Sequence, residues 1–397
     1  MLAVPAVRHL WLAGVGAGVM RWLEILAFGL HALALTGSPL VVALMSFARF
    51  LPLLLLGALA GVLAERFDRR RLLVTAYLLM AAIQALAALA AVLDLLGLGY
   101  ILALALAGGV FWCFEIPVRR TFLAEAGGTD RMAVSMGLEM VTTHLTRVAG
   151  PALGGLLVAT AGMPGVLLLG AILYTSGALL LLNVPAAPGT LPIVRQRLGA
   201  ALAEGFRAVR AEPQLLAIAV LTVVFNLFGL PYLGLLPVLA VERLDLGPFG
   251  TGVLAAGEGV GAVIATILLL RWSRPRWFAP IFGLGCLIFF AGVLALAAAP
   301  TAEAAFVILL VAGFGMSGFS VMQATLPLAI VPAAMRIRVA GVIMVSIGSA
   351  PFGFLLAGAL GGPLGGSGGI ALLGTTGLLA TALALWRWPV MALPRRA

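Results

Sequence analysis

The stretch Gly57-Ala-Leu-Ala-Gly-Val-Leu-Ala-Glu-Arg-Phe-Asp-Arg-Arg-Arg71 ends a long apolar run and then places six charged residues among the seven from Glu65 to Arg71. A helix that leaves the hydrocarbon of a bilayer would end here, because arginines are held among the cytoplasmic headgroups. Gly57 and Gly61 are four residues apart and share a helix face, which lets a second helix approach closely. The stretch therefore predicts a membrane-spanning helix followed by a short cytoplasmic turn.

The composition agrees with a membrane protein. Hydrophobic residues make up 63% of the 397-residue chain and charged residues only 10%, far from the values of a soluble globular domain. The formal net charge of +10 comes from arginine alone, since the sequence contains no lysine. On a soluble protein such a charge would suggest nucleic acid. Here the arginines lie between hydrophobic segments, so we expect no nucleic-acid partner.

Twelve apolar segments are long enough to span a bilayer as helices. They lie at 9–35, 39–64, 72–93, 99–118, 132–160, 163–184, 213–241, 248–271, 277–299, 302–331, 338–361 and 367–388. The longest polar stretch separates the sixth segment from the seventh. We therefore expect an all-α membrane protein of two pseudo-symmetric six-helix bundles, 1–184 and 213–397. A cytoplasmic linker, 185–212, would join them and carry an amphipathic helix over 195–210, although a plain linker is an equal alternative.

The arginines predict the orientation. With the N-terminus in the cytoplasm, 20 of the 24 arginines fall in cytoplasmic segments and only Arg243 falls in an outside loop. Both termini are therefore expected in the cytoplasm of a multi-pass protein of the inner, or plasma, membrane.

Two motifs resemble those of the major facilitator superfamily. The pattern Gly61-x-Leu63-x-Glu65-Arg66-x-x-Arg69-Arg70 resembles the loop between the second and third helices of that family, with Glu65 for its usual Asp and Asp68 for its usual Gly. The run Arg147-Val-Ala-Gly150-Pro151-Ala-Leu-Gly154-Gly155 resembles the antiporter motif of the drug-exporting members. Within that family, the chain most resembles the enterobactin-exporter-like branch. The residues that carry this resemblance run from Ala-Arg49-Phe-Leu-Pro52 to Arg71.

The resemblance implies the major facilitator fold and a transport cycle of alternating access. It implies that Glu115 pairs with Arg69 and that Glu65 faces the start of the eleventh span. It also implies that the antiporter motif packs span five against span eight. The predicted gating residues are Gly61, Glu65, Arg66, Asp68, Arg69, Arg70 and Glu115. The predicted antiporter-motif residues are Gly150, Pro151, Gly154 and Gly155.

Ionisable residues at membrane depth are costly and usually functional. Five fall well inside the spans: Arg21, Glu24, Arg49, Arg147 and Glu258. They are either structural ion pairs or parts of a transport pathway, and the sequence leaves both open. We expect Glu24 to be the protonation site, with Arg21 three residues away on the same face and Glu258 as the rival site. Asn226 joins them because span seven lines the cavity in the resembled family.

No enzyme motif is present, and a chain without lysine cannot form a phosphate-binding P-loop. We expect neither catalysis, a cofactor nor a metal. The sequence predicts a monomeric, proton-coupled exporter of amphipathic small molecules in the lipid bilayer. A lipid or lysolipid transporter of the same fold is an alternative, and a non-transporting receptor or membrane enzyme is a more distant one.

Overall fold

The computed structural model describes residues 4–66, 68–127, 132–186, 198–332 and 335–392. Within these ranges every regular element is helical, and no strand occurs. The described residues form two compact units. The first comprises Met1–Gly37, Leu44–Ile193 and Gly247–Ala256, and the second comprises Ser38–Ala43, Val194–Leu246 and Gly257–Ala397.

The first unit is built from five long helices and the start of a sixth. They are α1 (Pro5–Thr36), α2 (Pro39–Arg66), α3 (Arg69–Val92), α4 (Leu98–Gly127), α5 (Met132–Leu182) and the first part of α9 (Pro248–Trp272). The first unit contains α2 from residue 44 onward, and residues 39–43 belong to the second unit. The second unit holds the remainder of α9 and the other helices. Those are α6 (Leu198–Ala211), α7 (Pro213–Val224), α8 (Tyr232–Glu242), α10 (Phe278–Ala297), α11 (Ala302–Ile330), α12 (Arg336–Ile347) and α13 (Ala350–Arg387).

Local chemistry explains where several helices start. The Asp68 side chain accepts a hydrogen bond from the Arg71 backbone N–H at 2.9 Å, which caps the first turn of α3. Thr301 caps α11 in the same way through the Ala304 N–H, at 3.3 Å. The helix predicted within the polar stretch is present as α6, and Glu204 on it pairs with Arg338 of α12 at 2.9 Å.

Two long helices are interrupted at a glycine. Gly162 in α5 and Gly365 in α13 have φ values of 61° and 68°, which side-chain-bearing residues adopt only with strain. Both breaks fall in the gaps between predicted segments, at 160–163 and 361–367.

Ten helices among the described residues are long and apolar enough to cross a membrane. Two of these ten contain the Gly162 and Gly365 breaks. Counting each side of a break as one crossing yields the twelve spans that the sequence predicts, and the number of crossings stays a prediction. The chain is a multi-pass, all-α membrane protein.

Candidate functional site

A buried ion pair lies at Glu24 of α1. Arg49 of α2 donates from Nη1 to Glu24 Oε2 at 2.5 Å, and Gln84 of α3 donates from Nε2 to Glu24 Oε1 at 2.6 Å. Glu24 is 1% exposed and Arg49 is 3% exposed. An isolated charge in such surroundings would be very costly, so each member of the pair makes the other tolerable. The sequence singled out both charges but did not predict that they pair.

Glycine on α4 makes room for this pair. A Cβ atom at Gly108 would overlap Arg49 Nη1 and lie 2.8 Å from Arg49 Cζ and 3.2 Å from Glu24 Oε2. The neighbouring Gly109 lies against the backbone carbonyl of Arg49. A small cavity borders the pair, lined further by Ile25, Phe28, Met45, Ser46 and Ala105. The guanidinium therefore packs on bare helix backbone on one side and borders this small cavity on the other.

A second buried carboxylate, Glu115 of α4, accepts two hydrogen bonds and has a further guanidinium close by. Arg119 donates to Oε1 from one turn further along the helix, and the Tyr77 hydroxyl donates to the same oxygen at 3.2 Å. Arg21 Nη2 lies 3.6 Å from Oε2. Arg21 therefore has its ion pair with Glu115, and its predicted role as a modulator of Glu24 stays a prediction. Spacing of three residues places both Cβ atoms on one face, but the long Arg21 side chain reaches α4 and lies over the Trp112 ring at 4.8 Å.

A third carboxylate, Glu139 of α5, binds Arg119 through two hydrogen bonds of 2.7 and 2.8 Å. Arg120 approaches the same group at 3.3 Å. Arg119 is 2% exposed, although it lies just beyond the predicted span 99–118. The four-residue spacing from Glu115 to Arg119 on one helix is the signal that could have predicted its burial, since residues four apart face each other. Arg119 thus joins two carboxylates from two helices.

The glycines of the antiporter-like motif face two different helices. Cβ atoms at Gly150 and Gly154 would lie 2.6 Å from Trp22 Cβ and 3.1 Å from the Leu23 carbonyl oxygen, both on α1. Gly155 instead faces the start of α9, where its Cβ would be 2.8 Å from Gly252 Cα. Within the same unit, Pro151 presents its carbonyl oxygen to Gly252. Arg147, one turn before the motif, lies over the Trp22 ring at 4.3 Å.

The structure describes part of the predicted gating loop. Gly61, Glu65 and Arg66 lie on α2, where the structure describes their backbone alone. Asp68 caps α3, as described above, and Arg70 Nη2 donates to the Leu182 carbonyl at 2.5 Å. Arg69 is buried at the start of α3. The pairing of Arg69 with Glu115 and the gating role of this loop stay predictions.

The second unit holds the two remaining predicted residues. Glu258 of α9 is buried and accepts a hydrogen bond from the Tyr232 hydroxyl of α8, a partner that the sequence did not indicate. Asn226 lies in a short π-helix, Phe225–Gly229, and donates from Nδ2 to the Thr222 carbonyl at 2.9 Å. Gln323 of α11 donates to the Thr222 hydroxyl at 3.1 Å. Thr222 thus connects Asn226 and Gln323 in one small polar group.

No set of three or more His, Cys, Asp or Glu side chains is placed to bind a metal ion in the described ranges. The buried charges are arranged as ion pairs and hydrogen bonds instead. Such groups, held among apolar membrane helices, are typical of proton and substrate pathways in transporters.

The fold defines the class of protein. It matches the crystal structure of a bacterial homologue of the human lysosomal transporter Spinster with a TM-score of 0.73, at 15% identity, covering 98% of this chain and 96% of that one. A D-xylose–proton symporter matches equally well, with a TM-score of 0.73 and 15% identity over 97% of each chain. The protein has the fold of the major facilitator transporters.

The sequence places the chain within that class. The profile described as transmembrane secretion effector matches residues 2–395, and the chain belongs to this family of major facilitator transporters. It is 26% identical to the multidrug efflux pump Tap of Mycolicibacterium fortuitum, over 88% of this chain and 87% of the pump. It is 23% identical to the staphyloferrin A transporter of Staphylococcus aureus, over 63% of each chain. The match therefore spans less than two thirds of that relative.

Proposed function

We propose that this transporter is a proton-coupled exporter of amphipathic small molecules that works by alternating access, with Glu24 as the proton-binding group. The observation that carries the proposal is the buried Glu24–Arg49 pair with Gln84 as a third partner. Its relationship to a multidrug efflux pump supports the outward direction and the broad substrate class. Both transporter motifs of the sequence agree with it.

The chemistry of the pair suits proton coupling. A carboxylate in an apolar interior favours its neutral form, whereas a cation at hydrogen-bond distance favours its charged form. These opposing effects leave Glu24 able to gain a proton on one side of the membrane and release it on the other. A substrate entering the neighbouring space would remove water from the pair and shift that balance, so the two movements become linked.

The test measures proton-driven accumulation of ethidium in inverted membrane vesicles. Glu24→Gln alone leaves the Arg49 charge unpaired, which destabilises a buried site by about 3–5 kcal/mol. The informative variant is therefore the double substitution Glu24→Gln/Arg49→Met, which removes both charges. We expect it to lose accumulation against a gradient and to retain passive exchange of bound ethidium.

Glu258→Gln is the matched comparison, since Glu258 is a second buried carboxylate whose described donor is a neutral hydroxyl. If Glu258→Gln loses driven accumulation while the double variant keeps it, the proton-binding group is Glu258. If both variants accumulate ethidium normally, the charged groups are structural and the proposal is wrong.

A groove between α3 and α4 favours a second candidate, transport of a lipid or lysolipid. Its volume is about 680 Å³, within the usual range of ligand sites. Apolar side chains including Leu79, Ile83 and Phe114 line it, and Asp68 and Arg71 stand at one end. An acyl chain with a charged headgroup fits this polarity. Movement of fluorescent lysolipid in proteoliposomes, with no proton-driven ethidium accumulation, would favour this candidate.

The remaining features of the proposal follow from the sequence. The protein acts as a monomer in the inner membrane, with both termini in the cytoplasm, and neither binds nucleic acid nor catalyses a reaction. The loop from Gly61 to Arg70 gates the cytoplasmic side, and the motif from Gly150 to Gly155 seals the outer side. Asn226 and Arg147 face the substrate path.

A further inference from the structure

Tyr174 is a buried phenol whose role the exporter proposal leaves open. It lies in the second part of α5, beyond the break at Gly162, and is 1% exposed. Its hydroxyl has no hydrogen-bond partner among the described residues. Burying a hydroxyl in this way is unfavourable, and native structures rarely do so without a functional or water-mediated reason.

The glycines on either side of Tyr174 show what it faces. A Cβ at Gly170, four residues earlier, would lie 3.0 Å from Gln84 Oε1. A Cβ at Gly177, three residues later, would lie 2.5 Å from Cδ1 of the Tyr77 ring. Positions three and four apart share a helix face, so Tyr174 lies along α3 between Gln84 and Tyr77. The Tyr77 and Tyr174 ring centroids are 6.0 Å apart, and Phe111 contacts both rings edge-on at 5.1 Å.

Each of these two neighbours on α3 holds a different carboxylate. Gln84 binds Glu24 at 2.6 Å, and Tyr77 binds Glu115 at 3.2 Å. The Gln84 side-chain oxygen, like the Tyr174 hydroxyl, has no partner among the described residues. The phenol therefore lies between the two carboxylate sites, beside a second buried polar atom whose hydrogen-bonding capacity is unused.

The charged groups that act on Tyr174 come from every helix packed around this point. They are Glu24 and Arg21 on α1, Arg49 on α2 and Glu115 on α4, with the neutral phenol of Tyr77 on α3. Two carboxylates and two guanidiniums therefore lie within electrostatic range of one hydroxyl. A hydroxyl both donates and accepts, so it can pass a proton without becoming charged itself.

We propose that the Tyr174 hydroxyl relays protons between Glu24 and Glu115, with a water molecule on either side. Protonated Glu24 gives its proton through one water to the phenol oxygen while the phenol gives its own proton through the other water to the Glu115 carboxylate. The net change is that Glu24 becomes a carboxylate and Glu115 a carboxylic acid, and Tyr174 stays neutral. This inference rests on the proposed role of Glu24 and adds the route by which its proton leaves.

The test follows protonated carboxyl groups directly and needs no substrate. Purified full-length protein in lipid nanodiscs is taken through a rapid upward pH jump while infrared absorption of the carboxylic acid C=O stretch is recorded. Loss of the decaying band in Glu24→Gln/Arg49→Met assigns that band to Glu24. Tyr174→Phe keeps the ring and its contacts with Phe111 and Tyr77 but removes the hydroxyl.

We expect the Glu24 band in Tyr174→Phe to keep its amplitude and to decay at least about tenfold more slowly, because a positioned proton-transfer group contributes about 10²-fold or more. Tyr100→Phe is the matched control, since Tyr100 is 46% exposed on α4, and it should decay at the wild-type rate.

Two outcomes overturn the relay alone: a wild-type decay rate in Tyr174→Phe, or a loss of band amplitude with unfolding, which would mark a packing role. A wild-type protein with no band that depends on Glu24 would overturn the proton-binding role of Glu24 and the relay with it. The two failures are therefore distinguishable.

Discussion

Gly108→Ala should break the Glu24–Arg49 ion pair although neither charged residue is substituted. The new methyl group would occupy the position of Arg49 Nη1 and lie 2.8 Å from Arg49 Cζ. It would also lie 3.2 Å from Glu24 Oε2, so it intrudes on the hydrogen bond itself. The α4 backbone cannot retreat easily, because Gly109 already packs against the Arg49 carbonyl. The guanidinium must therefore leave its present position.

The expected loss of stability follows from the electrostatic stabilisation that Glu24 and Arg49 give each other. If Glu24 stays charged, an unpaired buried charge costs about 3–5 kcal/mol of stability. Uptake of a proton by Glu24 avoids most of that cost. A cation at hydrogen-bond distance favours the charged form of a carboxylate, so displacing the guanidinium changes how readily Glu24 takes up a proton. The pH profile of ethidium accumulation should therefore shift.

The assay is the pH profile of accumulation in inverted vesicles, together with the melting temperature of the purified protein. Gly99→Ala is the control: it lies on the same helix and a Cβ there meets nothing within 4 Å. Replacing glycine by alanine can stabilise a helix by up to about 1 kcal/mol, and the control measures this effect on its own. An unchanged pH profile in Gly108→Ala, with stability equal to the control, would refute the argument that this pair sets the protonation of Glu24.

Three further predictions concern other parts of the chain. Arg69→Ala should change the accessibility of the loop 65–71 to a water-soluble thiol reagent at an introduced cysteine and lower the transport rate, and unchanged values would remove its gating role. Gly154→Leu should lower the stability of the protein by about 1–3 kcal/mol and impair transport, because the new side chain collides with Leu23, the neighbour of Glu24. Normal transport at normal expression would show that the motif serves only helix packing. Gly365→Ala should lower stability by about 1–2 kcal/mol through its φ of 68°, whereas Gly362→Ala, with open space around it, should not. Equal melting temperatures for these two variants would contradict the strain argument.

The class of protein and the positions of its helices could be predicted from sequence. Membrane insertion depends on the hydrophobicity of each segment, which is a local property. The breaks at Gly162 and Gly365 fall where the sequence indicated that one segment ends and the next begins. The burial of Glu24 and Arg49 was also predictable, because their depth within a span follows from counting residues.

The partners of the buried charges were decided by tertiary structure. The sequence indicated that Arg21 and Glu24 share a helix face, and only the folded chain shows that Arg49 pairs with Glu24 and Arg21 with Glu115. Arg119, just beyond the predicted span 99–118, is buried between two carboxylates. Pairing depends on the rotation of each helix about its axis and on its depth relative to its neighbours. In a chain where apolar residues cover every helix face, no hydrophobic stripe reports that rotation.

The position of the Tyr174 hydroxyl also depended on the tertiary structure and not on the local sequence. Its neighbours on α3 are about ninety residues away in sequence, and nothing in its own surroundings along the chain marks it as polar or functional. Local sequence determined that this residue lies in an apolar helix. Only the packing of α5 against α3, set by glycines at 170 and 177, decided that its hydroxyl stands between two carboxylate sites. Side-chain contacts between distant helices are fixed by close packing of the whole unit, and no single segment contains that information.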